Sequence, residues 1–261
     1  MKLSSLTKNE PLKNHTTFQI GGPAEYFFEA KTTDQLLQAV KLAEKLKLAY
    51  IILGSGSNVL ISDKGIKGLV IKNSTSQIKI LPNNQVELDS GVFLPKAIFY
   101  LINQGLTGLE VFSGIPSSVG GASAVKMHGV GKTWQDIVVK VKKYHRVILS
   151  VTIQLQAGDP IKALTKAKEI QASKSHQPQK TSGCIFRNYE GQSTGQIIDQ
   201  QLNLKNTQIG QARISNQHAN FIENLGKAKA EDVLKLINLI KKQAKTKLNF
   251  DLELEIILLG F

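Results

Sequence analysis

The segment from Gly54 to Asn58 has the composition of an anion-binding loop. It follows an apolar run and places Gly54 and Gly56 two residues apart, while Ser55, Ser57 and Asn58 add short polar side chains. Glycines permit a sharp turn that gathers several backbone N–H groups in one small volume, which suits a diphosphate. Taken alone, the pattern favours a plain turn after a buried strand. Its interpretation therefore depends on the rest of the chain.

Cys184 is the only cysteine of the chain, and it lies between a Ser-Gly pair and an Ile-Phe-Arg-Asn run. A free thiol has a pKa of about 8.5, so it is mostly protonated at neutral pH and can donate its proton. The alternative is a cysteine that only fills space, because lone cysteines are among the most buried residues.

The chain ends with two carboxylates at alternate positions. Glu253 and Glu255 alternate with Leu252, Leu254 and Ile256. On a strand, the two carboxylates share one face and the apolar side chains share the other. The carboxylates therefore face either solvent, which periodicity alone favours, or a polar cleft.

Several blocks, in one order along the chain, resemble the bacterial UDP-N-acetylenolpyruvoylglucosamine reductases. The similarity starts with Asn-His-Thr-Thr-Phe-Gln-Ile-Gly-Gly-Pro-Ala at residues 14–24 and ends with Leu-Glu-Leu-Glu at 252–255 and Gly260. The blocks between them are residues 53–60, 114–122, 182–188, 210–215 and 218–221. Because the blocks cover most of the chain, the sequence is identified as a member of this family.

The resemblance implies two redox cofactors, a non-covalently bound FAD and NADPH as co-substrate. In this family, an N-terminal two-lobed module holds the FAD. The matching cofactor-binding residues are Gly54, Ser55, Gly56, Ser57, Asn58, Gly114, Ile115, Pro116, Gly120, Gly121 and Ala122.

The resemblance also implies a catalytic pair. Cys184 matches the position of the proton donor, which is serine or cysteine in the family. Glu255 matches a glutamate that lies beside the enolpyruvyl group and stabilises or protonates the intermediate, so the motif favours the cleft-facing alternative for this carboxylate.

The substrate is implied to be a UDP-sugar, with Arg187 and Asn188 as candidate contacts. The family usually has a proline after this asparagine, whereas this chain has Tyr189. His218 and Asn220 are interpreted as residues that shape the site.

One family motif has no counterpart at the expected place. The family carries a hairpin and a Tyr-Arg-x-Ser motif whose arginine stabilises the enolate, and here a block of that kind is missing before the strand at 147–155. Tyr144 and Arg146 are either a remnant, which makes Arg146 a candidate catalytic residue, or surface residues at a strand start. The spacing favours the surface interpretation.

Two functions on the same fold follow from these observations. The leading hypothesis is an FAD-dependent reductase that makes UDP-N-acetylmuramate for peptidoglycan precursors. The alternative is a degenerate flavin-binding homologue with little or no activity, since loss of an electrostatic stabiliser can cost several kcal/mol of barrier. A nucleic-acid-binding protein and another flavoprotein oxidoreductase are less favoured hypotheses.

Composition limits the classes of partner. The net charge is +13 over 261 residues, but the lysines are scattered and only Arg146, Arg187 and Arg213 are arginines. We interpret the lysines as a solvated surface whose positive field attracts anionic small molecules, and we predict no nucleic-acid partner. The five histidines show no paired metal-ligand spacing, so we predict no metal site.

The sequence also predicts where in the cell the protein is located. No apolar run is long enough to span a bilayer, and the first residues are too polar for a signal peptide. A single cysteine fits a reducing cytosol. We therefore expect a cytoplasmic monomer without membrane insertion.

The elements that must position these residues indicate an α+β fold. Periodicity predicts helices at 33–47, 95–104, 160–173 and 229–247 and strands at 50–53, 69–72, 85–88, 147–155 and 252–259. With the resemblance, residues 1–160 are predicted to form a two-lobed, PCMH-like FAD-binding module. Residues 161–261 are predicted to form a smaller α+β substrate-binding module, whose last strand returns to the active site.

Overall fold

Short strands are interspersed with helices in the computed structural model, which describes residues 1–175 and 177–261. The helices are α1 (Thr33–Lys45), α2 (Leu94–Asn103), α3 (Val119–Ala124), α4 (Pro160–Ser173), α5 (Thr194–Gln196) and α6 (Ala230–Leu248). The strands are β1 (Thr7–Pro11), β2 (Pro23–Ala30), β3 (Tyr50–Leu53), β4 (Val59–Ile61), β5 (Ile66–Asn73), β6 (Ile78–Ile80), β7 (Gln85–Asp89), β8 (Leu106–Thr107), β9 (Val138–Tyr144), β10 (Val147–Gln154), β11 (Gln156–Ala157), β12 (Gln208–Ile209), β13 (Ala212–Ile214), β14 (Ile222–Asn224) and β15 (Ile257–Leu259). This mixture confirms the predicted α+β class.

Local capping explains why the predicted helices begin where they do. Thr32 Oγ1 accepts a hydrogen bond from Gln35 N at 3.2 Å, and Gln35 Oε1 accepts one from Lys31 N at 2.8 Å. Asp159 Oδ1 accepts from Ile161 N at 2.9 Å ahead of α4. The bonds donated by Gln35 N and Ile161 N satisfy first-turn amides that have no partner within the helix.

The chain divides into two compact units, each assembled from segments that are distant in sequence. Unit 1 consists of Met1–Leu6, Phe28–Ser55 and Val70–His176, and unit 2 of Thr7–Phe27, Gly56–Leu69 and Gln177–Phe261. The prediction of functional modules that meet at residue 160 assumed continuous segments, and it stays a prediction.

Unit 1 contains an antiparallel sheet with the strand order β6-β7-β10-β9. Val151 of β10 lies opposite Leu88 of β7, and both are fully buried. Helix α3 packs against β7 and β10, and α2 packs against α4. Phe112 and Trp134 meet edge to face in this core, with 5.6 Å between ring centroids.

Unit 2 is built around α6, which packs against the sheet β12-β13-β14. Ile214 of β13 and Leu236 of α6 are fully buried in the core of this unit. Asp63 accepts hydrogen bonds from Ala230 N at 2.9 Å and Glu231 N at 3.1 Å. A carboxylate from a remote loop therefore caps the N-terminus of α6, where negative charge is favourable.

The last strand is shorter than the predicted 252–259. Only β15 forms a regular ladder, parallel to β4, with Leu258 opposite Leu60. The preceding residues pair elsewhere: Glu255 N donates to Ile185 O, and Arg187 N donates to Glu253 O, each at 2.9 Å. Burial alternates from Leu252 to Leu258, so periodicity could not reveal that the hydrogen-bond partner changes within this stretch.

Candidate active site

Cys184 lies in unit 2 on a segment that is held from two sides. Its backbone forms an isolated β-bridge with Phe221, and the next residue donates from Ile185 N to Asn220 O at 2.8 Å. On the other side, the Ile185 carbonyl accepts from Glu255 N. The structure thus brings the two predicted catalytic residues, Cys184 and Glu255, into one cluster with Asn220.

The environment of Cys184 keeps its thiol protonated. Burial, and after it the nearby Glu255 charge, raise the pKa of this thiol to about 12, while the Asn220 side chain has a smaller opposing effect. At neutral pH the group is therefore an S–H proton source rather than a reactive thiolate.

The two terminal glutamates follow the predicted alternation. Glu253 and Glu255 are both exposed, whereas Leu252 and Ile256 are buried. Asn58 Nδ2 donates to the Glu255 carbonyl at 3.2 Å. Glu255 is therefore open to solvent and still close enough to influence the thiol electrostatically.

Arg187 and Asn188 lie on the same segment as Cys184, and both are exposed. Arg187 Nη1 lies 3.7 Å from Glu253 Oε2, a solvent-exposed pair of little energetic weight. Asn188 Oδ1 accepts from Thr194 N at 3.3 Å, which orients its amide. Their predicted contact with the substrate stays a prediction.

The replacement of proline by Tyr189 has a structural consequence. Tyr189 N donates to Gln192 O at 3.1 Å, a bond that proline cannot make. Glu190 and Gly191 form the two-residue turn with φ values of 46° and 82°. The Tyr189 ring also stacks on Phe250, with centroids 4.3 Å apart. The chain therefore builds a small hairpin at this point.

His218 lies behind the cluster as a neutral imidazole. Burial lowers the pKa of His218, and the Lys205 charge lowers it further, while its own backbone hydrogen bond opposes both. Its Nδ1 accepts from Asn220 N at 3.3 Å, which assigns the proton to Nε2. It also makes an edge-to-face contact with Phe221, and its shaping role stays a prediction.

The predicted diphosphate loop contributes residues to both units. In unit 1, Lys72 Nζ donates to Gly54 O at 2.6 Å, and Ser55 Oγ donates to Pro116 O at 2.9 Å. A Cβ atom at Gly54 would collide with the Ser118 hydroxyl. A cleft of about 440 Å³ lies here, lined in part by Gly54, Ser55, Lys72 and Ser118.

In unit 2, the rest of the loop is held through its carbonyls. Thr17 N donates to Gly56 O at 3.2 Å, and Ile257 N donates to Asn58 O at 3.0 Å. Gly56 has a φ of 70°, and a Cβ atom there would collide with the His15 carbonyl. Only glycine fits this position.

These carbonyl contacts orient the amides of the loop. In a trans peptide the N–H points opposite to the preceding C=O, so the N–H groups of Ser55 and Ser57 point away from the groups that hold Gly54 O and Gly56 O. Backbone amides clustered by two glycines form a concavity that suits an anion. The residues present therefore fit the diphosphate of FAD.

In the second glycine segment, residues 114–122, several backbone amides already bind other groups of the protein. Val119 N donates to Val92 O at 2.9 Å, and Gly120 N donates to Ser90 O at 2.7 Å. Gly121 N donates to Ser118 Oγ at 3.2 Å. The first amides of α3 are therefore already used, and contact of Gly114, Ile115, Gly120, Gly121 and Ala122 with the cofactor stays a prediction.

Arg146 follows the tight turn between β9 and β10 in unit 1. It is exposed, and the preceding His145 has a φ of 49°. Tyr144 Oη donates to Glu44 Oε2 at 3.3 Å on this surface. The structure places Arg146 in unit 1 and both Cys184 and Glu255 in unit 2.

Three contacts of these loops were not predicted from the sequence. Lys72 contacts Gly54, and Thr17 Oγ1 donates to Thr181 O at 2.7 Å, close to Cys184 in sequence. The shaping role of Asn220 does not predict that its side chain binds both backbone groups of Phe186. The sequence offers one signal for these contacts, which is Lys72 itself. A lysine directly after the apolar run at 69–71 requires a partner for its charge.

Within the described residues, no cluster of three or more histidine, cysteine, aspartate or glutamate side chains could hold a metal ion. Among the described helices, none combines the length and apolar character needed to span a bilayer.

Comparison with known proteins connects this geometry to a family. Residues 24–150 match an FAD binding domain, and residues 175–259 match the C-terminal domain of UDP-N-acetylenolpyruvoylglucosamine reductase. The reductase of that name from Alkaliphilus oremlandii is 32% identical over 284 residues, covering 97% of this chain and 92% of the relative. The chain belongs to the UDP-N-acetylenolpyruvoylglucosamine reductase family.

Other members of the reductase family match at similar length. The Chlamydia muridarum reductase is 35% identical over 92% of this chain and 90% of its own length. The crystal structure of the Thermus caldophilus reductase superposes with a TM-score of 0.80 and 28% identity, covering 98% of this chain and all of that one.

Membership confirms several predictions. The predicted family is correct, and the fold of an FAD-binding module with a further C-terminal domain is correct. The reductase family consists of NADPH-dependent flavoprotein oxidoreductases that use FAD, so the predicted enzyme class and cofactors are confirmed. Matches over nearly the whole chain give no support to the degenerate alternative.

Proposed function

We propose that this protein converts UDP-N-acetylglucosamine enolpyruvate to UDP-N-acetylmuramate with NADPH, in peptidoglycan precursor synthesis. The observation that carries the proposal is the protonated thiol of Cys184 beside Glu255, on the segments where the family has its proton donor and its glutamate. A cytoplasmic monomer is part of the proposal, because nucleotide-sugar precursors and NADPH are cytoplasmic metabolites.

The chemistry that FAD supplies when bound is hydride transfer from the nicotinamide to the vinyl carbon of the substrate. The neighbouring carbon is left with an electron pair that is delocalised into the substrate carboxylate. Cys184 then acts as the general acid: its S–H bond breaks, the proton joins that electron pair as a new C–H bond, and solvent later reprotonates the thiolate.

Other residues of this chain hold the reactants. The amides of residues 54–58 bind the diphosphate of FAD, and Arg187 and Asn188 contact the UDP-sugar. Glu255 stabilises or protonates the intermediate beside Cys184. Arg146 is the least favoured of the three catalytic candidates, because its exposed position beside a hairpin turn favours a surface role.

A stepwise spectroscopic experiment tests the proposal. The purified protein with its flavin is bleached anaerobically with NADPH, and the enolpyruvyl UDP-sugar is then added. Recovery of the flavin absorbance supports the reductase. Bleaching without recovery contradicts it and shows that the second half-reaction was lost with the missing Tyr-Arg-x-Ser block.

Substitution of Cys184 separates the two half-reactions. Cys184→Ala is expected to leave bleaching by NADPH unchanged and to reduce reoxidation by the substrate at least a hundredfold, because general acid catalysis contributes about that much. Cys184→Ser is the matched control and is expected to keep substantial activity, since a hydroxyl also donates a proton. Equal loss in both half-reactions would contradict the role assigned to Cys184.

A further inference from the structure

The side chain of Lys72 binds the backbone of the loop that is predicted to hold the diphosphate of FAD. Its Nζ donates to Gly54 O at 2.6 Å, and both residues line the cleft of about 440 Å³ in unit 1. Lys72 is half-buried; burial lowers its pKa, and the Glu29 charge opposes this effect. A lysine that only solvated the surface would not lie where burial disfavours its charge.

A second contact holds the same peptide group from its other end. Ser55 Oγ donates to Pro116 O at 2.9 Å, so the side chain that follows Gly54 is also fixed. Because the peptide is planar and trans, the Ser55 N–H points opposite to Gly54 O and therefore away from Lys72 Nζ. Gly54 has no Cβ to limit rotation of this peptide, and the Ser118 hydroxyl leaves no room for one. The hydrogen bond from Lys72 therefore selects one of the two directions that the peptide could take.

The direction of this peptide matters for an anion. With its carbonyl on Lys72, the peptide presents its N–H on the side away from the lysine, and backbone N–H groups attract phosphate oxygens. A peptide rotated by half a turn would present its carbonyl oxygen there, which repels them. A lysine at a phosphate site ordinarily acts as a point charge. Here the ammonium is bonded to the carbonyl of the loop itself, which indicates an indirect role.

We propose that Lys72 is a positioning residue for FAD, which holds the Gly54–Ser55 peptide with its N–H available to the diphosphate. Lys72 acts through this peptide and not through its charge. The proposal rests on the binding of FAD by this loop, which is part of the function proposed above. Lys96 is the matched control, because it lines the same cleft, carries the same charge and is exposed.

The first measurement is titration of the flavin-stripped protein with FAD and with riboflavin, which lacks the diphosphate. Lys72→Met is expected to raise the Kd for FAD about tenfold or more, because only molecules with the correct peptide direction bind it. The Kd for riboflavin is expected to stay the same, and Lys96→Met is expected to change neither value. An unchanged Kd for FAD in Lys72→Met, or equal weakening for both flavins, overturns the proposal.

A chemical substitution at the same position separates the hydrogen bond from the charge. Lys72→Cys is prepared in a Cys184→Ser background, so that the introduced thiol is the only one in the chain. Iodoacetamide converts this thiol to a side chain with as many atoms in line as lysine, ending in a neutral amide N–H donor. Bromoethylamine gives a side chain of the same length that ends in an ammonium group.

Both alkylated forms are expected to bind FAD about as tightly as the Cys184→Ser parent. The unalkylated Lys72→Cys protein is expected to bind it about tenfold or more weakly, as for Lys72→Met. If the ammonium form alone recovers the affinity, Lys72 acts as a plain charge and the proposal is overturned. Lys72→Cys also replaces Lys72→Met in the first measurement if the methionine variant does not fold.

The two proposals fail in different ways. If the unmodified protein binds FAD but is not reoxidised by the UDP-sugar, the reductase function fails. The titrations with FAD require no UDP-sugar, so they still decide whether Lys72 positions the loop.

Discussion

At the scale of single residues, Cys184 shows what a motif can and cannot reveal. The residues that flank it predict a proton donor, and the sequence alone gives no reason to expect a thiol pKa other than the ordinary value of about 8.5. In the structure the pKa is about 12, because burial and the Glu255 charge both disfavour the thiolate. Neither cause is visible in sequence, since Glu255 is distant along the chain.

The electrostatic link between Glu255 and Cys184 can be measured directly. Glu255→Gln removes the negative charge that raises the thiol pKa, so the pKa falls and the thiolate fraction at pH 8.5 rises. We expect alkylation by iodoacetamide several-fold faster, since one pKa unit is a tenfold change in thiolate.

Glu253→Gln is the matched control for this prediction. It removes an equal charge from the same segment, but Glu253 pairs with Arg187, so we expect no change in rate. Equal acceleration in both variants would mean that a general field effect, and not the position of Glu255, sets the thiol pKa.

At the scale of elements, local patterns predicted local structure. The helix that begins after Thr32 and the helix that begins at Pro160 follow from capping and periodicity, because their hydrogen bonds join residues close in sequence. The short strands β12, β13 and β14 were not predicted, since two or three residues carry no readable alternation. Tyr189 departs from the family motif, and the effect on the loop became clear only from its bond to Gln192.

The hairpin at Tyr189 can be tested by restoring the family residue. Tyr189→Pro removes the N–H that binds Gln192 O and the ring that stacks on Phe250. We expect a loss of about 1–2 kcal/mol in the free energy of unfolding, from one hydrogen bond and one aromatic pair. Chemical denaturation measures this difference.

Tyr189→Phe provides the control for the hairpin, because it keeps the backbone donor and the aromatic ring. Its stability should stay within about 0.5 kcal/mol of the unmodified protein, as for most changes away from a specific contact. If Tyr189→Pro proved as stable as Tyr189→Phe, the hydrogen bond would contribute nothing to the loop.

At the scale of the whole molecule, the sequence could not show how segments are grouped. Residues 7–27 and 56–69 belong to the same unit as the C-terminal segment, although both precede most of unit 1 in the chain. Composition does not change at these points, because each boundary falls inside or beside a strand or the glycine loop. The family resemblance predicts the cofactor loops, yet it could not show which of their amides are already used by the protein.

The net charge of the molecule has a kinetic consequence for the proposed reaction. Thirty-three lysines and arginines against twenty aspartates and glutamates create a positive field around a protein whose proposed substrates are anionic. We therefore expect kcat/KM for NADPH to fall several-fold between about 20 and 200 mM NaCl, because salt shortens the range of this attraction from about 20 Å to below 10 Å. Because bound substrate no longer depends on steering, kcat should change little. Sodium sulfate at equal ionic strength separates this effect from competition by chloride. A kcat/KM that is insensitive to both salts would mean that the scattered lysines only solvate the surface and do not assist capture of the substrates.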